Sequence, residues 1–426
     1  MILLEGMSTA LITNDAVVLG MLAMILGFVF WSEGNKTFAG FYKYVPALLL
    51  CYFIPATLNS LGVIDGHGSK LYFVASRFLL PTTLVLLCVS VDLKGIFALG
   101  PKALIMFLTG TFGIVIGGPI ALICGSYLFP DVFGGSDDLW RGMTTVAGSW
   151  IGGGANQTAM KEIYEASDQL FSAMIVVDVF VANLFMSVLL FGIGYNKKIN
   201  RFFKANDTAI EALKLKMEKF QASVSRVATF NDLIYMLGIT FCFVGLSHFL
   251  ADNIGPAIKE MLLSMDVSTA RLLVSFGSKF FWLVVFATVF GVMLSFTKYR
   301  KFEGVGASKM GSLFLYILVA TIGMKMDIME LIANWGVFKF LVSIGLIWIF
   351  IHALFLFVVA KIIKAPFFYV AVGSQANVGG AASAPIVASA FHPSLAPVGV
   401  LLAVLGYAIG TYGAWLCGVI MQGLSG

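Results

Sequence analysis

The stretch that decides the fold is Gly148-Ser149-Trp150-Ile151-Gly152-Gly153-Gly154-Ala155-Asn156-Gln157. A second stretch of the same character follows about 225 residues later: Gly373-Ser374-Gln375-Ala376-Asn377-Val378-Gly379-Gly380-Ala381-Ala382. Both place glycines and carboxamides in segments apolar enough to enter a bilayer, where each unpaired backbone group costs several kcal/mol. Irregular backbone at that depth is tolerated only when it is buried in protein or lines a polar cavity. We therefore interpret the two Gly-rich stretches as the centre of a transporter.

Composition predicts an all-α polytopic membrane protein. Of the 426 residues, 59% are hydrophobic and 12% are charged, about half the charge of a soluble domain. Apolar runs of spanning length occur at 16–31, 44–62, 71–91, 103–129, 169–194, 232–250, 272–295, 311–326, 338–360 and 396–421. Two further segments, 140–160 and 367–390, hold the Gly-rich stretches. The formal charge of +5 lies in loops, and we expect no nucleic-acid partner.

A basic connection at 195–230 divides the chain into halves, 1–194 and 231–426. It carries eight Lys/Arg and three acids, a net +5, and its 204–224 part has helical composition. This pattern predicts a cytoplasmic linker helix on the membrane surface. Aligning Ser90-Val91-Asp92-Leu93 with Lys325-Met326-Asp327-Ile328 puts the Gly-rich segments in corresponding positions, so the halves are predicted to be repeats.

Loop charges favour an inverted relation between the repeats. If each Gly-rich segment returns to the side from which it entered, each half crosses the membrane five times. The net charge of the inner loops then totals +12, and that of the outer loops totals −7. If all segments crossed, loop 130–141, with net charge −2, would lie in the cytoplasm against the positive-inside rule. We therefore predict two inverted repeats of about five transmembrane helices, each with a Gly-rich broken or re-entrant helix. Both termini are predicted to lie on the outer side of the membrane. The protein is predicted to reside in the inner (plasma) membrane.

The polar groups of the Gly-rich stretches indicate substrate binding. Half-helices that meet at a break present N–H groups that attract anions and C=O groups that attract cations. Close helix packing through small residues is the structural alternative. A small polar or anionic solute with an inorganic cation matches this inventory. The predicted substrate-binding residues are Ser149, Gly152, Gly153, Gly154, Asn156, Gln157, Ser374, Gln375, Asn377, Gly379 and Gly380.

Asp178 and Asn183 are the predicted ion-coupling residues. Asp178 lies within an apolar run, where an acid costs about 2.5–3.5 kcal/mol on insertion scales. It is expected to bind Na⁺ or to carry a proton, and the surrounding neutral oxygens favour Na⁺. A structural pair with Arg77 is the alternative. For Arg77 and Lys279 themselves, snorkelling to the interface is the favoured interpretation.

No catalytic residue, metal site or cofactor is predicted. The four histidines are dispersed, the five cysteines have no paired spacing, and no Ser-His-Asp, P-loop or metallohydrolase signature is present in the sequence. The sequence therefore disfavours an enzyme. The required small molecules are the solute and a coupling cation, Na⁺ or H⁺.

With these features, the chain resembles the uncharacterised YjcL-like membrane family, domain of unknown function family 819, over nearly its full length. The resemblance is carried by Gly148–Gln157, Asp178 and Gln375–Pro385. More distantly, the paired breaks resemble sodium/glutamate and sodium/citrate symporters and the cation/proton-antiporter and bile-acid-symporter fold. That likeness implies that the tips of the two broken helices, Gly152–Gln157 and Gln375–Gly380, meet near the membrane centre. It also implies that they belong to a core domain that moves against a scaffold domain, and that the scaffold often dimerises. The paired-Asp motif of proton antiporters is missing from the sequence.

The sequence therefore predicts a cation-coupled secondary transporter with elevator-like alternating access. A homodimer through 232–250 and 280–296 is expected. The alternatives are an ion channel with Gly-rich filter segments, a proton-coupled exchanger and a membrane enzyme. A channel is disfavoured because the two stretches differ in sequence and the pseudo-symmetry is only two-fold. The sequence names neither the solute nor the direction of transport.

Overall fold

The computed structural model describes residues 10–42, 45, 47–91, 93–130, 139–205, 210, 228–265, 273–326, 328–329, 335–392 and 395–425. These residues are almost entirely helical, with one isolated backbone bridge between Ile12 and Ile64. Seven of the described helices are long and apolar enough to cross a membrane, or up to nine if each of two bent pairs is one span. The prediction of a multi-pass, all-α membrane protein is confirmed.

The α-helices, in chain order, are α1 (Asp15–Glu33), α2 (Ala39–Tyr42), α3 (Ala47–Ser60), α4 (Leu71–Val74), α5 (Leu80–Val89), α6 (Leu93–Ala98), α7 (Pro101–Leu128), α8 (Leu139–Ile163), α9 (Asp168–Ile193), α10 (Asn196–Phe203), α11 (Phe230–Leu263), α12 (Lys279–Ser295), α13 (Ala307–Gly323), α14 (Trp335–Ile363), α15 (Phe367–Val378), α16 (Gly380–Phe391) and α17 (Ala396–Leu424). A π-helical turn, Ala75–Leu79, joins α4 to α5. Short 3₁₀ segments are Lys36–Phe38, Val274–Gly277 and Lys298–Val305.

The long helices pack as two bundles that share one face. The scaffold bundle consists of α1, α3, α5, α11, α12 and α13, and the core bundle of α7, α8, α9, α14, α15, α16 and α17. Each half of the chain therefore gives its first three long helices to the scaffold and its later helices to the core. The two Gly-rich stretches both lie in the core bundle.

Two of the predicted spans are shorter than expected. The runs at 44–62 and 272–295 correspond to α3 and α12, of 14 and 17 residues. The run at 311–326 corresponds to α13, which has 17 residues and begins four residues earlier, at Ala307. Helix α12 ends because the Thr297 side chain caps the 3₁₀ segment Lys298–Val305, which turns away by 96°. A hydropathy run shows where the chain is apolar but not where a polar cap stops the helix.

Small residues allow the close approach of α7 and α14 in the core bundle. A Cβ atom on Gly117 or on Gly118 would lie 2.7 Å from the Trp348 indole. The indole Nε1 donates a hydrogen bond to the Ile114 carbonyl oxygen at 2.9 Å. Gly117 and Gly118 are therefore packing glycines.

Some sequence predictions fall outside the described residues. Most of the linker helix predicted over 204–224 lies there, and so do Asp92 and Asp327 of the proposed repeat alignment.

Candidate functional site

Helix α8 contains the first Gly-rich stretch and folds back on itself at Gly153. This glycine has φ 75° and ψ −175°, a backbone conformation that is essentially restricted to glycine. The two limbs lie side by side, since the Trp140 and Tyr164 rings are 5.4 Å apart and Arg141 Nη1 donates to the Tyr164 carbonyl oxygen at 2.5 Å. We call Leu139–Ile163 hairpin 1.

The second Gly-rich stretch forms a similar hairpin from α15 and α16. The chain turns at Gly379 and at Gly380, which has φ 55°. The two ends lie together, because the Phe391 ring is 6.1 Å from that of Phe367 and 5.2 Å from that of Phe368. We call residues 367–391 hairpin 2. Both Gly-rich segments are thus interrupted at their glycines.

The bases of the two hairpins lie at opposite ends of α9. At its first residue, Asp168 Oδ1 is 2.8 Å from Lys161 Nζ of hairpin 1. Near its last residue, a Cβ atom on Gly192 would lie 2.7 Å from Phe367 Cζ of hairpin 2. A 26-residue helix is about 39 Å long. The hairpins therefore enter the core bundle from opposite sides.

The breaks of the two hairpins meet against α17. A Cβ atom on Gly406 would lie 2.5 Å from the Ile151 carbonyl oxygen of hairpin 1 and 3.5 Å from the Ala376 carbonyl oxygen of hairpin 2. One turn further, a Cβ atom on Gly410 would lie 2.6 Å from Gly152 Cα. Bare glycine backbone on α17 is therefore needed for the two hairpins to approach.

Asp178 is buried on α9 under hairpin 1. Its Oδ1 accepts a hydrogen bond from Trp150 Nε1 at 2.7 Å, and its Oδ2 accepts one from Gln157 Nε2 at 3.0 Å. The Ser149 side chain also hydrogen-bonds this carboxylate. Among the described residues no cationic side chain pairs with it. Each carboxylate oxygen has a further lone pair that can bind a cation.

Asn183 does not share these hydrogen bonds. Its Nδ2 donates to the Val179 carbonyl oxygen of the same helix at 2.7 Å. Five residues along an α-helix turn a side chain about 140° from Asp178. Within the described part of the chain, no group of three His, Cys, Asp or Glu side chains lies together as a metal site would require.

The Asn156 carboxamide holds hairpin 1 against α17. Its Nδ2 donates to the Gly152 carbonyl oxygen at 2.8 Å, and its Oδ1 accepts a hydrogen bond from Thr411 Oγ1 at 2.6 Å. Both ends of the amide are therefore bonded beside the break, and one acceptor lone pair is left on Oδ1.

The Asn377 carboxamide plays the same part in hairpin 2. Its Nδ2 donates to the carbonyl oxygens of Gly373 and Phe107, both at 2.9 Å. Its Oδ1 accepts a hydrogen bond from Thr111 Oγ1 at 2.7 Å. Each hairpin thus carries an asparagine that bonds the carbonyl four residues earlier and a threonine of a neighbouring helix.

His352 orients Ser374 at hairpin 2, and sequence reasoning missed it. The ring is fully buried; its Nδ1 lies 2.9 Å from the Gly110 carbonyl oxygen and its Nε2 lies 2.7 Å from Ser374 Oγ. A carbonyl only accepts, so Nδ1 carries the hydrogen, and in the neutral ring Nε2 accepts from the serine hydroxyl. The available signal was a lone histidine inside the apolar run 338–360.

Gln375 carries an unpaired donor beside the break of hairpin 2. Its side chain is buried, and its Nε2 has no hydrogen-bond partner. A buried polar group left unsatisfied costs about 1–3 kcal/mol. Such a group needs a polar partner, which water or a bound ligand can supply.

The tip of hairpin 1 also reaches the scaffold bundle. A Cβ atom on Gly154 would lie 3.8 Å from Leu315 Cδ1 of α13. The core and the scaffold therefore touch at the same break that carries Gly152 and Gly153.

A cluster of five charged residues joins the base of hairpin 1 to the scaffold. Arg77 Nη1 lies 2.9 Å from Glu162 Oε2, and Lys325 Nζ lies 3.0 Å from Asp168 Oδ2. Lys161, only 7% exposed, lies 2.8 Å from Asp168 Oδ1 and 3.5 Å from Glu162 Oε1. We call these residues the ion cluster. Arg77 thus pairs with Glu162 rather than with Asp178.

Tyr72 lies within the ion cluster. Its hydroxyl donates to Glu162 and accepts from Lys161 Nζ at 3.2 Å. The ammonium nitrogens of Lys161 and Lys325 lie 4.9 Å and 4.8 Å from its ring centroid, close enough for cation–π attraction. Tyr72 therefore binds both sides of the scaffold–core contact.

Comparison with known proteins identifies the family of the chain. A family model described as "Protein of unknown function (DUF819)" matches residues 20–424. A Bacillus subtilis (strain 168) protein, described as "Uncharacterized membrane protein YjcL", is 23% identical over 369 residues, which cover 83% of this chain and 84% of that protein. The family resemblance seen in the sequence is confirmed.

Proposed function

The chain belongs to the DUF819 family of membrane proteins, and we propose that it is a secondary active transporter. It moves a small polar or anionic solute together with a cation, Na⁺ rather than H⁺. The observation that carries the proposal is the meeting of two broken hairpins from opposite sides of the core, with a buried acid beside one break and an unpaired buried donor beside the other.

The solute is proposed to bind between the two tips. Gln375 Nε2 supplies a donor that the protein itself leaves unpaired, and His352 fixes the Ser374 hydroxyl nearby. Helix breaks add backbone N–H and C=O groups that need polar partners. The Gln375 amide and the backbone N–H groups suit carboxylate or carbonyl oxygens of a small solute. Ser374 Oγ, which gives its hydrogen to His352, and the backbone C=O groups suit donors of the solute.

The cation is proposed to bind at Asp178. A carboxylate held by three neutral side chains offers negative charge at the depth where the hairpins meet. Na⁺ favours several oxygen ligands, and the carboxylate, the Ser149 hydroxyl and carbonyl groups of the break can supply them. A proton would need the acid alone, so the abundance of neutral oxygens favours Na⁺.

Elevator-like alternating access is proposed as the mechanism, with the two halves as inverted repeats. The core bundle contains both hairpins and Asp178, whereas the scaffold contributes contacts at Leu315 and at the ion cluster. Movement of the core as one unit would carry the entire site past the scaffold. The chain would act in the plasma membrane with 195–230 in the cytoplasm.

A homodimer is part of this proposal. Two segments were expected at the interface. Helix α12 is largely buried against its own chain, whereas only 22% of the most apolar stretch of α11 is buried. Helix α11 is therefore the proposed dimer contact.

Solute binding can be tested by thermal unfolding of the purified full chain with amino acids, peptides and carboxylates, in NaCl and in KCl. A true ligand should raise the melting temperature more in NaCl, because binding to the folded state stabilises it by mass action. The Gln375→Leu variant should lose that shift. Without ligand it should be as stable as the parent or more stable, because the substitution removes a buried unpaired donor that costs about 1–3 kcal/mol.

Asn377→Leu is the matched control for stability without ligand. It makes the same kind of substitution at a carboxamide that is fully hydrogen-bonded, so, unlike Gln375→Leu, it should lower the melting temperature without ligand. The solute site is assigned wrongly if no compound stabilises the parent in NaCl, or if Gln375→Leu keeps the full shift. If ions cross proteoliposome membranes through the protein at rates typical of channels, the protein is an ion channel and the transporter proposal is wrong.

The ion cluster is expected to hold the core against the scaffold in the conformation described. Asp168→Asn should destabilise the protein by about 1–3 kcal/mol, since it leaves Lys325 without its carboxylate partner and Lys161 with Glu162 alone, at 3.5 Å. The matched control is Asp252→Asn, because Asp252 pairs with Lys279 at a similar distance, 3.1 Å, but both side chains are about 60% exposed. Breaking that pair should cost about 1 kcal/mol or less.

The two losses can be compared by chemical unfolding monitored through tryptophan fluorescence. The conservative variant Asp168→Glu should recover part of the loss, because it keeps a carboxylate for both Lys161 and Lys325. Equal effects of Asp168→Asn and Asp252→Asn would mean that the cluster does not hold the bundles together.

A further inference from the structure

A basic cavity lies where the chain turns away from the end of α12. It has a volume of about 440 Å³. Its lining includes three cations, two aromatic side chains and a hydroxyl: Lys298, Arg300, Lys301, Phe97, Phe296 and Thr297. None of the lining residues that the structure describes is acidic. The cavity therefore has the chemistry of an anion site with an apolar edge.

The nearest described acid in the same segment, Glu303, does not pair with Lys298 or Lys301. The Glu303 carboxylate accepts hydrogen bonds from Ser90 Oγ at 2.5 Å and from the Ser308 backbone N–H at 3.1 Å. Lys298 Nζ lies 5.4 Å from the Tyr299 ring centroid. Neither Lys298 nor Lys301 forms an ion pair with a described residue, so their charge remains available to a ligand.

The cavity lies where a membrane headgroup would be. Helix α12 ends at Ser295, and the segment Lys298–Val305 turns by 96°, the geometry of a helix that leaves a membrane and runs along its surface. Phe97 and Phe296 are 66% and 69% exposed beside the cations. Loop 297–310 carries a net +3, which predicts the cytoplasmic face, where anionic lipids attract basic segments.

We propose that this cavity binds the phosphate headgroup of an anionic phospholipid. Lys298, Arg300 and Lys301 contact the phosphate, and the acyl chains lie along Phe97 and Phe296. Free phosphate shares the headgroup chemistry, but it would leave the two exposed aromatic side chains unused. The exposed apolar edge beside the charge is what favours a lipid.

The bound lipid would contact the scaffold and the connection that leads into the core. Lys298 and Lys301 follow α12 of the scaffold, whereas Phe97 lies on α6, which connects α5 of the scaffold to α7 of the core. A headgroup in the cavity therefore links the scaffold to the connection that leads into the core. This site is separate from the proposed solute and cation sites and does not depend on them.

Lipid binding can be tested on the purified full chain by native mass spectrometry. Titration with phosphatidylglycerol, compared with phosphatidylcholine, should show preferential retention of the anionic lipid. The Lys298→Gln/Lys301→Gln variant should bind phosphatidylglycerol at least about fivefold more weakly, since Lys and Arg near a membrane surface each add to the attraction. Its melting temperature in phosphatidylcholine should match the parent, because both side chains are exposed.

Lys197→Gln/Lys198→Gln is the matched control, with the same charge change on two exposed lysines of α10 that do not line the cavity. It should retain phosphatidylglycerol like the parent. An equal loss in both variants would assign the effect to diffuse surface charge and overturn the site. No loss in the cavity variant would overturn it too, and displacement of the lipid by millimolar inorganic phosphate would assign the cavity to free phosphate.

Discussion

Asp178→Asn is expected to abolish Na⁺-dependent transport while the chain still folds and inserts. The carboxylate accepts from Trp150 Nε1 and Gln157 Nε2, and an asparagine amide can accept from only one of these donors. The variant therefore loses the charge that would bind the cation, together with one charged hydrogen bond, worth about 1.5–3 kcal/mol. Uptake of an identified solute into proteoliposomes should fall to the level of protein-free vesicles, with or without a Na⁺ gradient.

Ser172→Ala is the control on the same helix. Its hydroxyl donates to the Asp168 carbonyl oxygen at 2.6 Å and does not touch Asp178, so the variant should transport like the parent. If Asp178→Asn transports at the parental rate with an unchanged Na⁺ response, Asp178 is structural and the cation site is wrong. If a pH gradient drives uptake by the parent protein in the absence of Na⁺, the proton-coupled alternative is favoured.

The positions of the breaks were predictable from the sequence because the cause is local. Gly153 and Gly380 have positive φ, which glycine adopts without steric cost, and runs of glycine in an apolar segment are visible without a structure. The burial of Asp178 was predictable for the same reason, since an acid inside an apolar run must lie inside the protein.

The partners of the site residues were not predictable from one sequence. Thr411 is 255 residues from Asn156, and Thr111 is 266 residues from Asn377. Each is a single hydroxyl within an apolar helix, where threonine can equally bond its own backbone. Only the packing of α17 on hairpin 1 and of α7 on hairpin 2 brings these groups together.

The ion cluster shows a second limit of sequence reasoning. Lys161, Glu162 and Asp168 counted only as loop charges in the topology argument. Their pairing with Arg77 and Lys325 depends on the scaffold lying against the core, and loop charge gives no information about that contact. Charges near a helix end can be predicted to lie at a membrane face, but their partners require the tertiary structure.

Cross-linking the core to the scaffold is expected to stop transport completely and reversibly. A Cβ atom on Gly154 lies 3.8 Å from Leu315 Cδ1, so the Gly154→Cys/Leu315→Cys pair should be bridged by Hg²⁺. The experiment needs a background without Cys124 and Cys242, the two native cysteines that are not buried. If the core must move past α13, uptake should fall to background on addition of Hg²⁺ and return with dithiothreitol.

The matched control is a bridge within the scaffold. A Cβ atom on Gly311 would lie 3.3 Å from Leu86 Cβ, close to the 3.5–4.5 Å typical of a disulfide, and both residues lie in the scaffold bundle. Cross-linking Gly311→Cys to Leu86→Cys should therefore leave transport largely intact, as should Hg²⁺ treatment of each single variant at 154 and 315. Continued uptake by the fully cross-linked Gly154–Leu315 pair would show that the bundles need not move past each other. In that case the elevator mechanism is wrong, whereas the Asp178 result would still decide the cation site, because that assignment rests on hydrogen bonds within the core alone.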